Sequence, residues 1–128
     1  MLHRLDVVCI VDDDAAVRNA LKFALETEGL LVCTYDGPVS LLADRHIPPF
    51  GCLIIDYRMP VMDGLELTAA LRERGLRGPV IMITGRTNKE LRARAEKLGI
   101  RHLIEKPLSD GALINAIQDA LKPRARNA

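Results

Sequence analysis

The chain has 128 residues, 48% of them hydrophobic, which suits one compact domain with a single core and leaves no room for a second. Its 18 Lys and Arg nearly balance 17 Asp and Glu, so no strong overall field steers it onto nucleic acid or an anionic membrane, and 3% aromatic content leaves no stacking platform for single strands. No apolar window approaches a membrane span and residues 1–6 lack the apolar centre of a signal peptide, so a soluble cytoplasmic protein is expected.

The first apolar run, residues 7–11, predicts a strand and meets three consecutive carboxylates, Asp12, Asp13 and Asp14. Their mutual repulsion at the mouth of a sheet calls for a cation or a helix N-terminus. A helix follows, with Val17, Leu21, Ala24 and Leu25 at helical spacing and Gly29 where a C-terminal cap belongs. Asp14 is expected to cap it, a metal role being the alternative. Further strands are predicted over 30–34, 52–55, 80–83 and 102–104. Leu91, Ala95 and Leu98 before Gly99 mark the fourth helix, and Leu113, Ile114, Ile117 and Leu121 before Pro123 mark the fifth. The pattern is βα repeated five times.

Runs of Val, Ile and Leu suggest strands covered on both faces, hence a parallel sheet between two helical layers: an α/β, three-layer, doubly wound (βα)5 fold. Right-handed crossovers then gather the C-terminal strand ends on one edge, where ligands bind. Asp12 to Asp14, Asp56, Thr84 and Lys106 all fall at such ends. Each has an ordinary reading, as a helix start, a turn or a strand terminus, but their joint placement points to chemistry.

Several carboxylates beside one lysine repel free phosphate and attract a hard cation such as magnesium, with manganese as a substitute. Once a metal is held, a carboxylate can attack a phosphoryl group while neighbouring donors stabilise the transferring oxygens. Asp56, ending a buried central strand, is the expected nucleophile. Asp13 would bind the metal directly and Asp12 directly or through water. Lys106 would pair with the phosphoryl group and the Thr84 hydroxyl would donate to it.

Through "VCIVDDD", "LIIDYRMPVMDG", "VIMITG" and "LIEKP" the chain resembles the receiver domain of two-component response regulators, from about residue 7 to 121, and is most similar to receivers of the FixJ type. The resemblance implies strand order 2-1-3-4-5, phosphorylation at Asp56, a metal site of Asp12, Asp13, Asp56 and the Arg58 backbone carbonyl, Thr84 as switch hydroxyl and Lys106 as phosphoryl-binding lysine. It implies a cis peptide at Lys106-Pro107, with Gly85, Arg58 and Pro107 flanking the site. It divides the chain into a receiver at 1–122 and a basic tail at 123–128. Leu103 stands at a switch position where the family commonly has Tyr or Phe, and Leu108 replaces another frequent aromatic.

The implied donor is a histidine kinase or phosphotransfer protein. The implied output is a downstream protein bound on the face of the fourth helix, fifth strand and fifth helix, with phosphorylation-dependent homodimerisation as a further implication. That face collects Arg86, Lys89, Arg92, Arg94, Lys97 and Arg101, read either as a solvated surface or as a site for an acidic protein. With no DNA-binding motif, a single-domain regulator is expected, neither an enzyme nor a direct binder of nucleic acid or membrane; a fragment of a longer DNA-binding transcription factor and a docking-only receiver are the alternatives. A haloacid-dehalogenase-type phosphatase needs an acid where Arg58 stands, and in a flavodoxin-like flavin binder "DDDAAV" would repel the phosphate. Cys9, Cys33 and Cys52 are expected to be plain buried side chains, and His3, His46 and His102 surface or boundary residues.

Overall fold

The computed structural model describes residues 7–108 and 111–122. The expectations for residues 1–6, including His3, and for the tail at 123–128, with Arg124 and Arg126, lie outside the described residues. Five strands, β1 (Val7–Val11), β2 (Leu31–Tyr35), β3 (Cys52–Asp56), β4 (Val80–Thr84) and β5 (His102–Glu105), alternate with α1 (Ala15–Thr27), α2 (Pro38–Ala43), α3 (Gly64–Glu73), α4 (Lys89–Lys97) and α5 (Ala112–Leu121). The strands form one parallel sheet in the order β2-β1-β3-β4-β5. The three-layer (βα)5 expectation holds.

Strand alternation divides the core into two layers. Cys9, Val11, Leu53, Ile55, Val80 and Met82 face Leu41, Leu65, Leu67, Leu71, Leu91 and Ala95 on α2, α3 and α4. Val8, Ile10, Ile54, Ile81 and Ile83 face Leu25, Leu113, Ala116 and Ile117 on α1 and α5. β3 and β4 are buried throughout, whereas the edge strands β2 and β5 are only half-covered, because an edge strand has a sheet neighbour on one side alone.

Local chemistry sets the helix ends. Gly29, Gly75 and Gly99 take φ values of 87°, 86° and 79°, the left-handed conformation that costs glycine least. Beyond each glycine the next amide donates back to the helix: Leu30 to Leu25 O, Leu76 to Leu71 O and Ile100 to Ala95 O. Leu30 therefore belongs to the α1 cap and β2 begins at Leu31, one residue later than its apolar run predicts. At the other ends, Asp63 and Glu66 form a capping box on α3 and Asn88 caps α4. Arg72 ties the C-terminal ends together: Nε donates to Leu98 O at 3.1 Å, and Nη1 donates to Leu76 O at 3.1 Å and Gly78 O at 2.8 Å.

One cysteine expectation needs correction. Cys9 and Cys33 are register partners on β1 and β2, with Cα atoms 4.6 Å apart, and they form a disulfide. They share a face because parallel pairing sets partners side by side, a relation that single-strand reading does not reveal. Cys52 is a free buried thiol, pushed up to about 12 by desolvation, and so is a plain core side chain as expected. His102 bridges β5 to α5 through Asp119 Oδ2 at 2.9 Å.

Candidate functional site

The three carboxylates after β1 have three separate fates. Asp14 caps α1, accepting from the amides of Ala16 at 2.9 Å and Val17 at 3.3 Å, which settles the capping alternative. Asp12 is 3% exposed and its Oδ1 accepts from the Asp14 amide at 2.8 Å. Asp13 stands exposed at the mouth. Arg18, which the sequence reading passes over, donates from Nη1 to the Asp12 carbonyl at 2.7 Å and braces the turn from the first coil of α1.

Asp56 ends β3 beside this turn because β1 and β3 are neighbours in the sheet. Asp56 is 7% exposed, and Lys106 Nζ lies 3.4 Å from its Oδ1. Carboxylate oxygens of Asp12, Asp13 and Asp56 lie within 4.8 Å of one another. Burial raises the Asp56 pKa above the usual carboxylate range, Asp12 adds to that, and Lys106 opposes it. Burial likewise raises Asp12, against the hydrogen bond from Asp14 and the charge of Lys106. Two desolvated acids and one exposed acid with a single ammonium partner form a donor set for which a hard divalent cation is the natural counter-charge.

Thr84 ends β4 with its side chain buried, but its hydroxyl is turned onto its own loop. Oγ1 donates to Arg86 O at 2.9 Å and accepts from the Arg86 amide at 3.3 Å. The structure thus gathers Asp12, Asp13, Asp56 and Lys106 around one point and places Thr84 in a different hydrogen-bonding arrangement. Glu105, also unflagged by the sequence, accepts from the Thr87 amide at 2.9 Å, and Arg92 Nη2 donates to Thr87 Oγ1 at 3.0 Å. Leu103 is half-buried on the α4 side of the sheet, packed against the core there. The Lys106-Pro107 peptide is cis, as the resemblance implies.

Beside the acids a cleft of about 510 Å³ opens between the loops after β3 and β4, with Arg58, Gly85, Arg86 and Arg94 among its lining residues. A Cβ on Gly85 would have nothing within 4 Å, so this flank is open. The six basic residues predicted for one face are all exposed, and five of them divide between two concavities, Lys97 lining neither. Arg86 and Arg94 line this cleft, while Lys89, Arg92 and Arg101 line a second groove along α4 and β5 that also reaches Leu103.

Among known proteins, the family model for the response regulator receiver domain matches residues 8–118. The transcriptional regulatory protein FixJ of Azorhizobium caulinodans is 41% identical over 115 residues, covering 89% of this chain and 54% of that protein. The response regulator protein TodT of Pseudomonas putida is 37% identical over 122 residues, covering 95% of this chain and 54% of its own length. The crystal structure of FixJ-N superposes with a TM-score of 0.83 at 33% identity, covering 99% of this chain and 100% of that one. The chain spans about half the length of the curated relatives it matches. A family match over nearly all of the described residues, a five-stranded parallel sheet in the order 2-1-3-4-5, and acids gathered at its C-terminal edge agree: this chain belongs to the response regulator receiver family.

Proposed function

We propose that this receiver accepts a phosphoryl group on Asp56 from a histidine kinase or phosphotransfer protein. The observation that carries the reading is the placement of the Asp56 carboxylate at a buried strand end, clustered with Asp12 and Asp13 and 3.4 Å from the Lys106 ammonium. An Asp56 carboxylate oxygen attacks phosphorus, the bond from phosphorus to the donor imidazole nitrogen breaks, and the departing imidazole takes up a proton. Asp12, Asp13, Asp56 and the Arg58 carbonyl would hold magnesium, which supplies charge compensation for the phosphoryl oxygens. Lys106 pairs with one phosphoryl oxygen, and Thr84 turns its hydroxyl from Arg86 to another. Gly85, Arg58 and Pro107 flank the acyl phosphate.

The chain assists its own phosphoryl transfer and otherwise acts as a signalling module in the cytoplasm. Output leaves through α4, β5 and α5, where the groove with Lys89, Arg92 and Arg101 suits an acidic protein surface, a second phosphorylated copy being the other occupant of that face. Matched relatives twice as long include a transcriptional regulator, so a receiver acting within a longer transcription factor is the second reading.

The test is intact-mass spectrometry after incubation with acetyl phosphate and magnesium. A single phosphoryl adduct on the wild type, absent without magnesium and absent in Asp56→Asn, is the expected result. An adduct that survives in Asp56→Asn overturns the assignment.

A further inference from the structure

Glu105 lies opposite Thr84 in the β4–β5 register. Strand alternation puts both side chains on the α4 face, the face of Met82 and Leu103. From there the Glu105 carboxylate reaches over the loop of residues 85–88 and accepts from the Thr87 amide at 2.9 Å. Arg92 holds the Thr87 hydroxyl from the α4 side at 3.0 Å. Thr87 is thus fixed at both its amide and its hydroxyl, immediately after the residue that engages Thr84.

A threonine hydroxyl has one proton to donate. While Thr84 Oγ1 donates to Arg86 O at 2.9 Å it cannot also donate to a group on Asp56. Turning it releases both Arg86 hydrogen bonds, so residues 85–88 must repack, and the Thr87 amide is the next link in that chain. We propose that Glu105 is a positioning residue whose carboxylate clasps the Thr87 amide, holds the loop outward and keeps the Thr84 hydroxyl away from Asp56 until a phosphoryl group draws it in. The proposal rests on the reading of Asp56 as phosphoacceptor.

The experiment compares wild type with Glu105→Ala and Glu105→Gln. Two measurements are made: Thr87 amide hydrogen exchange in the untreated protein, and beryllofluoride affinity with magnesium by chemical-shift titration. Loss of the clasp in Glu105→Ala speeds Thr87 exchange about fivefold and, by removing a restraint on the competent loop, tightens beryllofluoride binding about fivefold. Glu105→Gln keeps an acceptor oxygen for the amide and stays within about twofold of wild type in both. Unchanged Thr87 exchange in Glu105→Ala removes the clasp, and unchanged or weaker beryllofluoride affinity removes its gating role. A wild type that binds no beryllofluoride overturns the phosphoacceptor reading and the gating role with it, while Thr87 exchange still reports separately on the clasp.

Discussion

Replacing Asp12 by Asn should make the metal-free protein more stable. Two unit charges at 4.8 Å, the bound within which one oxygen of each of these carboxylates lies from the others, repel by roughly 3 kcal/mol at an effective dielectric of about 20. Asn keeps the oxygen that accepts from the Asp14 amide at 2.8 Å, so the turn survives, and only the attraction between Asp12 and Lys106 is forfeited. After solvent screening and that loss, a net gain of about 1–2 kcal/mol remains, equivalent to about 4–8 °C in Tm for a chain of this size. The sign with pH follows from burial. Asp12 and Asp56 are raised above the 3.8 of an ordinary carboxyl, so folding retains protons that the unfolded chain releases. The metal-free wild type therefore loses stability as pH rises from about 4 through the raised values, and the advantage of Asp12→Asn shrinks towards pH 4. Magnesium reverses the order, because it binds the deprotonated cluster: at a hundred times its Kd it stabilises the wild type by about 2.7 kcal/mol and the variant by much less. Thermal unfolding by circular dichroism, in chelator and in magnesium at pH 5 and 7.5, reads all of this. A variant less stable than wild type in chelator at pH 7.5, or one that gains as much from magnesium, would refute the electrostatic account.

Gly64→Ala should cost about 1–3 kcal/mol in urea unfolding. Its Cβ would lie 3.0 Å from the Asp56 carbonyl oxygen and from Met82 Cε, and 3.1 Å from Ile55 Cγ2. Gly85→Ala, with open space at that position, should stay within about 0.5 kcal/mol of wild type. Val61→Gly should raise stability by about 1 kcal/mol, seen as a higher Tm, because an 87% exposed β-branched residue at φ 75° has strain to lose and no buried contact to forfeit. Reduction of Cys9–Cys33 by a dithiol should lower stability by about 3 kcal/mol for a crosslink spanning 24 positions, and Cys33→Ala should unfold at the same urea concentration with or without the dithiol. Three titratable thiols in the unfolded chain before any reductant is added would count against that bond.

The fold was readable because five apolar runs, helical periodicity in the first, fourth and fifth helices, and caps at Gly29 and Gly99 agreed, the second and third helices following from the alternation alone. Asp12, Asp56, Thr84 and Lys106 were readable because strand ends share one edge in a parallel sheet, whatever the details of packing. The remainder depends on which residues stand side by side across strands, and a single strand does not carry that information. Cys9 and Cys33 are 24 positions apart and meet only through the β1–β2 register. Glu105 reaches Thr87 only because β5 is paired so that Glu105 is level with Thr84. The direction of the Thr84 hydroxyl could not be read either, since it depends on the path of the following loop. The Leu30 boundary was missed for a more local reason: an apolar residue after a capping glycine serves the helix before it serves the strand.

The three carbonyls held by Arg72 give α4 an asymmetry of movement. Its C-terminal end is fastened through Leu98 to the end of α3, whereas its N-terminal end carries its own Asn88 cap and follows the loop that Glu105 spans. A nine-residue helix is about 14 Å long, so a rotation of roughly 10° about Leu98 carries Lys89 by roughly 2 Å and leaves Lys97 almost in place. Such a rotation would make the helix a lever with its fulcrum at the end far from the Asp56 cluster. A surface laid across Lys89, Arg92 and Arg101 would span both arms of that lever, and would meet the rotation as a change in their spacing.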